Sequence, residues 1–245
     1  MIFIKTAMEL FCIFQAMRHI EIDLVRQLPL CRDMTDANFD SLMIAALLQK
    51  FPPHAVLIRE GELPDFLHII VDGSVELFAE WDGREVTLDI LRPVSTFILA
   101  AVIRDEVYLK SARTLVPSQI LMIPAETVRD IFSRDGAFAR AIVNELAVRY
   151  RSVVRSLKDH KLRTSAERLA NWILEIDRQQ GGSGRVVLPH DKRTLASRLG
   201  MTPENLSRNL ATLSEHGVIG GGKEIVVTDR EALKRWAKPD PLIDG

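Results

Sequence analysis

The sequence holds only two cysteines, Cys12 and Cys31. Two thiols build no disulfide framework, and they fall short of the four that an iron-sulfur cluster ordinarily takes, so no such cluster is expected within one chain. Reduced thiols fit a cytoplasmic setting. A membrane-length apolar run is also missing, although 47% of the 245 residues are hydrophobic and a sizeable core is available. That length has room for about two domains. The opening MIFIKTAMELFCIFQAM is apolar, but Lys5 and Glu9 interrupt it and no small-residue cleavage site closes it, so a helix docking on the next domain is expected. A misplaced start, with Met17 as the true beginning, is the alternative for residues 1–16. Net charge is nearly absent too, at −1, yet from Lys161 onward 14 Lys and Arg stand against 11 Asp and Glu, with 18 against 22 before it. No nucleophile-base pair, metal-ligand cluster or phosphate loop emerges, which argues against an enzyme.

What the chain does have is the stretch from Asp191 to Ile219, DKRTLASRLGMTPENLSRNLATLSEHGVI. Leu195, Ala196 and Leu199 recur at the spacing of one helical face, and Gly200 follows where a helix ends in a left-handed cap. The chain restarts at once. Thr202 can cap a second helix, Pro203 suits its first position, and Glu204 suits the positive end of its dipole. Leu206, Leu210 and Leu213 give that helix a buried stripe. Glu204, Ser207 and Arg208, at i, i+3 and i+4, then share the exposed face near its N-terminus. An arginine can grip guanine O6 and N7, a carboxylate can accept from cytosine N4, and a hydroxyl serves several bases. A merely solvated helix face is the other reading of those three.

This segment resembles the helix-turn-helix of the CRP/FNR transcription regulators, and Glu204-x-x-Ser207-Arg208 is similar to the E-x-x-S-R signature of the FNR-type branch. The resemblance implies that Glu204, Ser207 and Arg208 read a palindromic operator of the TTGAT-N4-ATCAA kind, with Thr202 and Asn205 beside them in the DNA-binding set. Lys192 and Thr194 at the first helix, and Lys223 at a following hairpin, are placed to touch phosphates or are ordinary surface residues.

Before this motif the pattern is helical from Ile20 to Lys50, with a break at Pro29 to Thr35. After Pro52-Pro53 the period becomes two, with runs at Ala55 to Arg59, Phe66 to Val71, Val75 to Trp81 and Glu85 to Leu91 divided by Gly61, Gly73 and Gly83. Short strands with glycine turns predict an antiparallel barrel or roll. REGELPDFLHIIVDGSVELF resembles the opening of the cyclic-nucleotide-binding β-roll.

The family's phosphate-binding cassette then falls on RPVSTFILAAVIRDEVYLKSARTL. Aligned on Phe97-Ile98 and Ser111-Ala112, Leu99 stands at the family's glycine, Ala100 at its glutamate and Lys110 at its arginine. A side chain at the glycine crowds a phosphate, Ala100 accepts nothing from a ribose hydroxyl, and Lys lacks the planar fork. Each lost charged hydrogen bond costs on the order of 1.5 to 3 kcal/mol, so cAMP is not the expected effector. The apolar run Phe97 to Ile103 is either core filling or a pocket for an apolar effector; ILAAVI and YLKSARTL are most similar to the DNR and NnrR regulators of denitrification, which implies haem and nitric oxide. Candidate pocket residues are Phe97, Ile98, Leu99, Ala100, Lys110, Ser111 and His68, and candidate haem ligands His68, His19, His54 and Met122.

Val128 to Phe132 predicts a short helix. Ala139, Val143, Leu146, Tyr150, Val153, Leu157 and His160 then alternate steps of four and three, a seam that buries best against a copy of itself. Packing on its own roll is the alternative; the corresponding helix of the family is the dimer helix, which implies a parallel homodimer with Val143, Leu146, Tyr150, Val153 and Leu157 at the interface. Thr164 and Glu167 read as a capping box, Leu169 to Ile176 as a buried helix face, Arg185 to Leu188 as a strand, and Val218-Ile219 with Ile225 to Val227 as a hairpin wing. The expected organisation is α+β: N-terminal helices and a sensor roll over 1–135, dimer helix and hinge over 136–163, and a winged helix-turn-helix over 164–245. The resemblance implies a cytoplasmic regulator that partners double-stranded DNA and RNA polymerase. A ligand-independent or redox-tuned regulator of the FixK kind, and a nucleotide-binding module acting through protein contacts, are the alternatives.

Overall fold

In the computed structural model the described residues are 22–188, 191–220 and 222–244; the expected N-terminal helix, Cys12 and His19 lie outside them. After a helical turn at residues 22–26, helix α1 (Asp36–Ala45) starts on Thr35, whose hydroxyl accepts the Asn38 N–H. The predicted helix to Lys50 stops short, because Leu47–Phe51 forms strand β1. Its backbone pairs with β8 (Ser118–Pro124), Leu48 lying opposite Leu121. Long-range pairing overrides the local apolar pattern there.

Strands β2 (Val56–Ile58), β3 (Phe66–Asp72), β4 (Val75–Trp81) and β5 (Arg84–Leu91) fall on the alternating runs. With β6 (Ser95–Phe97) and β7 (Ser111–Thr114) they build two four-stranded sheets, β1-β8-β3-β6 and β2-β7-β4-β5. The turn after β3 requires glycine: Gly73 has φ +94°, and a Cβ there would lie 2.7 Å from the Ser118 backbone. Between the sheets lie Ile58, Ile70, Val75, Leu77, Phe97 and Ile120. Outside the first sheet a second core joins α1, α2 (Leu99–Arg104), α3 (Ala125–Arg134) and the first turns of α4 (Gly136–Leu162).

Asp135 starts α4. Its carboxylate accepts from the amides of Ala137 (3.0 Å) and Phe138 (2.9 Å) and from the Asn38 side chain (2.9 Å), which ties α1 to α4. Burial opposes that charge, but the amides of Phe138, Thr35 and Ala137, with Asn38, outweigh it and hold the carboxyl down at about 2. Phe138 and Ile142 are buried, whereas the seam residues Val143, Tyr150, Val153 and Leu157 are exposed. The chain divides into two compact units: the first reaches Ala79 and resumes from Asp89 to Ala147, and the second holds Glu80–Leu88 and everything from Val148.

In the second unit, α5 (Ser165–Gln179) begins with the expected capping box, Thr164 and Glu167 each bonding the other's backbone N–H. Strands β9 (Arg185–Val187), β10 (Val218–Gly220) and β11 (Glu224–Val227) form a sheet of order β10-β11-β9. Around it pack α6 (Lys192–Arg198), α7 (Pro203–Ser214) and α8 (Arg230–Ala237), followed by the single turn α9 (Pro241–Asp244). Leu169, Ile173, Leu195, Leu206, Leu213, Ile225 and Leu233 are almost wholly buried in this core, each contributing roughly 1.5–3 kcal/mol.

Candidate nucleic-acid interface and effector region

Asp191 caps α6 by accepting the Thr194 N–H at 2.9 Å, and the Thr194 hydroxyl donates to the same carboxylate at 3.0 Å. Helix α6 ends at Arg198 with Leu199 as its C-cap, and Gly200 turns the chain at φ +64°. Thr202 then accepts the Asn205 N–H at 3.2 Å and Pro203 occupies the first turn of α7. These are local interactions, so the sequence alone predicts them.

Because Leu206, Leu210 and Leu213 are buried, the opposite face of α7 is forced outward, and Glu204, Asn205, Ser207 and Arg208 are exposed on it. The Ser207 hydroxyl donates to the Pro203 carbonyl at 3.1 Å, leaving oxygen lone pairs outward. The Glu204 carboxyl sits below the usual carboxylate range, held there first by its own backbone N–H, then by the Thr202 hydroxyl, with the Arg208 charge adding to both. One helix face therefore carries an acceptor, a hydroxyl and a bidentate donor. Lys192 is exposed at the start of α6, and Lys223 is exposed between β10 and β11.

One buried arginine here escapes the reading of the sequence. Arg168 lies on α5 beside Leu169, only 8% exposed, and its Nε donates to the Leu199 carbonyl at 3.1 Å. Its sole sequence signal is a charge adjoining an apolar helix stripe.

The candidate effector residues separate. Phe97 and His68, directly opposite in the β3-β6 pairing, are both buried and their rings stack at 5.1 Å. Burial pushes the His68 imidazole down to about 4, against the raising effect of a backbone bond at Phe66, and Nδ1 has no hydrogen-bond partner. Met122 is opposite His68 on β8. Ile98 takes a left-handed conformation (φ 61°) at the head of α2 and touches both cores of the first unit. Leu99, by contrast, is buried in the helical core, and Ala100 is exposed on α2. Lys110 is half-buried, and the Ser111 hydroxyl accepts the Glu60 N–H at 3.0 Å. His54 is exposed in a loop. Two residues past Ser111, the Arg113 guanidinium meets Glu76 at 2.7 Å and lies 4.3 Å over the Phe78 ring, so its fork is committed within the sheet.

A void of about 20 Å³ lies elsewhere, under residues that include Val25, Met43, Leu48 and Leu121. Cys31 is buried, its thiol pushed up to about 12 by burial against the pull of Arg26, and so is unreactive. Among the described residues no three His, Cys, Asp or Glu side chains gather as a metal site, and no helix is long and apolar enough to cross a membrane. Along α4, Val143 (59%), Tyr150 (70%), Val153 (66%) and Leu157 (57%) are exposed, while Leu146 packs on the helical core.

The cyclic nucleotide-binding domain family matches residues 48–135, and the Crp-like helix-turn-helix domain family matches residues 167–236. The CRP-like cAMP-activated global transcriptional regulator of Mycobacterium tuberculosis is 27% identical over 206 residues, covering 80% of this chain and 92% of the relative. The nitrogen fixation regulation protein FixK of Azorhizobium caulinodans is 23% identical over 197 residues, covering 76% of this chain and 77% of the relative. The structure of FixK2 from Bradyrhizobium japonicum superposes with a TM-score of 0.66 at 22% identity, covering 78% of this chain and 96% of that one. A cyclic nucleotide-binding domain followed by a Crp-like helix-turn-helix domain is the make-up of a CRP/FNR-type transcription regulator.

Proposed function

We propose that the protein is a homodimeric, sequence-specific regulator that reads an FNR-type palindrome with α7, and that its roll does not take cAMP. The observation carrying the first half is the exposed triplet Glu204, Ser207 and Arg208 on a helix capped and turned at its N-terminus by Thr202, Pro203 and Gly200. Two copies of α7, carried by a parallel pair of α4 helices, meet successive major grooves about 34 Å apart. Lys192 and Lys223 supply phosphate contacts, while the Thr194 hydroxyl is engaged by the Asp191 carboxylate that caps α6. On this reading the regulator is cytoplasmic and activates transcription by contacting RNA polymerase. Fluorescence anisotropy on TTGAT-N4-ATCAA beside a scrambled duplex tests it, and equal affinity for both refutes it.

The Mycobacterium tuberculosis relative is cAMP-activated by name, but three features argue against cAMP here. Leu99 is buried in the neighbouring core, Ala100 offers no acceptor, and the nearby Arg113 fork is engaged by Glu76. The packed interior supports a regulator of the FixK kind, active without a small ligand. Haem is the second reading, favoured by the unpartnered Nδ1 of the buried His68 and by Met122 at the opposite position of β8. Its fit in this conformation is poor: a planar macrocycle needs a cleft on the order of 300–1,000 Å³, and the space beside His68 is filled by Phe97. Haem titration read by absorption, with and without nitric oxide, separates the two. A Soret band that His68→Ala abolishes favours haem; no band, together with no heat on calorimetric titration with cAMP, favours the packed roll.

A further inference from the structure

We propose that Arg163 and Arg168 are positioning residues for DNA binding: together they strut the helix-turn-helix against the end of α4, and Asp244 is the counter-ion that holds the strut closed. This rests on the reading of the protein as a dimer on a palindrome, because the strut matters only if α7 must keep a set angle to the dimer helix.

Arg163 occupies the short link between α4 and α5, where an arginine would ordinarily reach into water. Its side chain is only 7% exposed. One guanidinium nitrogen donates to Asp159 at 3.1 Å, on the last turn of α4, and to Asp244 Oδ1 at 2.6 Å. The other donates to Asp244 Oδ2 at 2.7 Å and reaches the Lys238 carbonyl at 3.4 Å. The Asp244 contact is a fork on a carboxylate, which fixes orientation as well as distance. Asp244 is itself held from behind, since the Asp240 N–H donates to it at 2.7 Å, and Lys158 on α4 donates to the Leu242 carbonyl at 3.1 Å. The turn α9 is thereby fastened to the end of α4.

Arg168 continues the connection. It donates to the Arg163 carbonyl at 2.9 Å with one nitrogen, to the Leu199 carbonyl at 3.1 Å with Nε, and reaches the Gly200 carbonyl at 3.4 Å with the third. Leu199 and Gly200 are the turn that aims α7. His160 closes the gap on the other side: its Nδ1 pairs with the Ser156 carbonyl at 2.9 Å, and its Nε2 would stand 2.7 Å from any Cβ placed on Gly200. Only a guanidinium can serve three carbonyls in different directions while keeping its charge at every working pH. The path from Asp244 through Arg163 and Arg168 to the Gly200 turn is therefore continuous, and α7 turns with the last turns of α4 as one body.

The test uses the full chain. Affinity is measured for the palindrome, for a single half-site, and for the palindrome with about half a helical turn inserted, in wild type, Arg168→Met, Arg168→Lys, Asp244→Asn and Asp244→Glu. With the strut lost, the Arg168→Met and Asp244→Asn variants bind the palindrome about tenfold more weakly while half-site affinity stays constant, and discrimination against the altered spacing shrinks. Asp244→Glu retains most of the wild-type ratio, whereas Arg168→Lys does not, because one ammonium cannot span the carbonyls of Arg163 and Leu199. An unchanged palindrome-to-half-site ratio in Arg168→Met and Asp244→Asn overturns the proposal, as does an equal fall on both DNAs. If wild type itself ignores the palindrome, the functional reading has failed and not the strut, which hydrogen exchange then decides without DNA: residues 199–202 exchange faster in both variants while the buried centre of α5 does not, and unaltered exchange across 199–202 refutes it.

Discussion

The imidazole of His68 lies against the ring of Phe97 across the β3-β6 pairing, with centroids 5.1 Å apart and planes inclined by 26°. Packing of this kind keeps a histidine neutral, since burial lowers its pKa from 6.5 to about 4. The unfolded chain therefore takes up the proton first. Stability contributed by the neutral ring is complete above pH 6.5 and is lost as the pH falls toward 4.

That linkage predicts a pH slope. Between pH 7.5 and pH 5 the unfolding free energy of wild type falls by about 2 kcal/mol more than that of His68→Leu. Urea unfolding at the two pH values measures both, and parallel pH profiles would show that His68 is not buried as a neutral ring.

Arg208 is expected to carry base discrimination and not mere attraction. Arg208→Ala should weaken the palindrome by about 10²- to 10⁴-fold, because the dimer loses two bidentate base contacts, one in each half-site, each worth about 1–3 kcal/mol, and weaken scrambled DNA far less. Anisotropy at several salt concentrations checks it, because a phosphate contact would instead lower both affinities and flatten the salt slope.

The exposed stripe on α4 predicts a dimer seam. Val153 and Leu157 are 66% and 57% exposed, so a carboxylate at either costs the folded subunit little. In the double variant Val153→Asp, Leu157→Asp, sedimentation should show monomers with an unaltered helical signal, and palindrome affinity should fall to that of a half-site. A variant that stays dimeric would move the interface elsewhere.

How much of this is legible from residues alone follows from the range of the interactions. The caps at Thr164, Thr202 and Gly200 use partners within a turn or two, and each is read from three or four letters. The strands of the roll show themselves as short apolar runs set between glycine turns, although Leu67–Val71 and Val75–Phe78 are buried on both faces and do not alternate. Leu47–Phe51 misleads, since only pairing with β8, some seventy residues away, makes it a strand. The run Phe97 to Ile103 looks like one apolar pocket, yet Phe97 faces the roll interior and Leu99 the helical core. Arg163 and Arg168 read as surface charges because their partners, Asp244 and Leu199, come from far along the chain. Helix α8 carries Leu233 and Ala237 as its buried residues, too sparse a stripe to announce itself.

Gly200 offers the last prediction. Its φ of +64° disfavours any other residue by about 1–2 kcal/mol, and a Cβ there would stand 2.7 Å from His160 Nε2. Because the imidazole is an exposed side chain, it can swing aside once its bond to the Ser156 carbonyl is given up. Gly200→Ala should therefore destabilise the second unit by about 2 kcal/mol, of which the contact with His160 accounts for about 0.5–1 kcal/mol. A double-mutant cycle separates the parts: in a His160→Ala background, Gly200→Ala retains only the backbone cost. Operator affinity should follow the same order, lowest in Gly200→Ala and partly recovered in the double variant, because the displaced turn is the one that sets the direction of α7. Additive effects on stability and affinity alike would mean that His160 does not press on the turn.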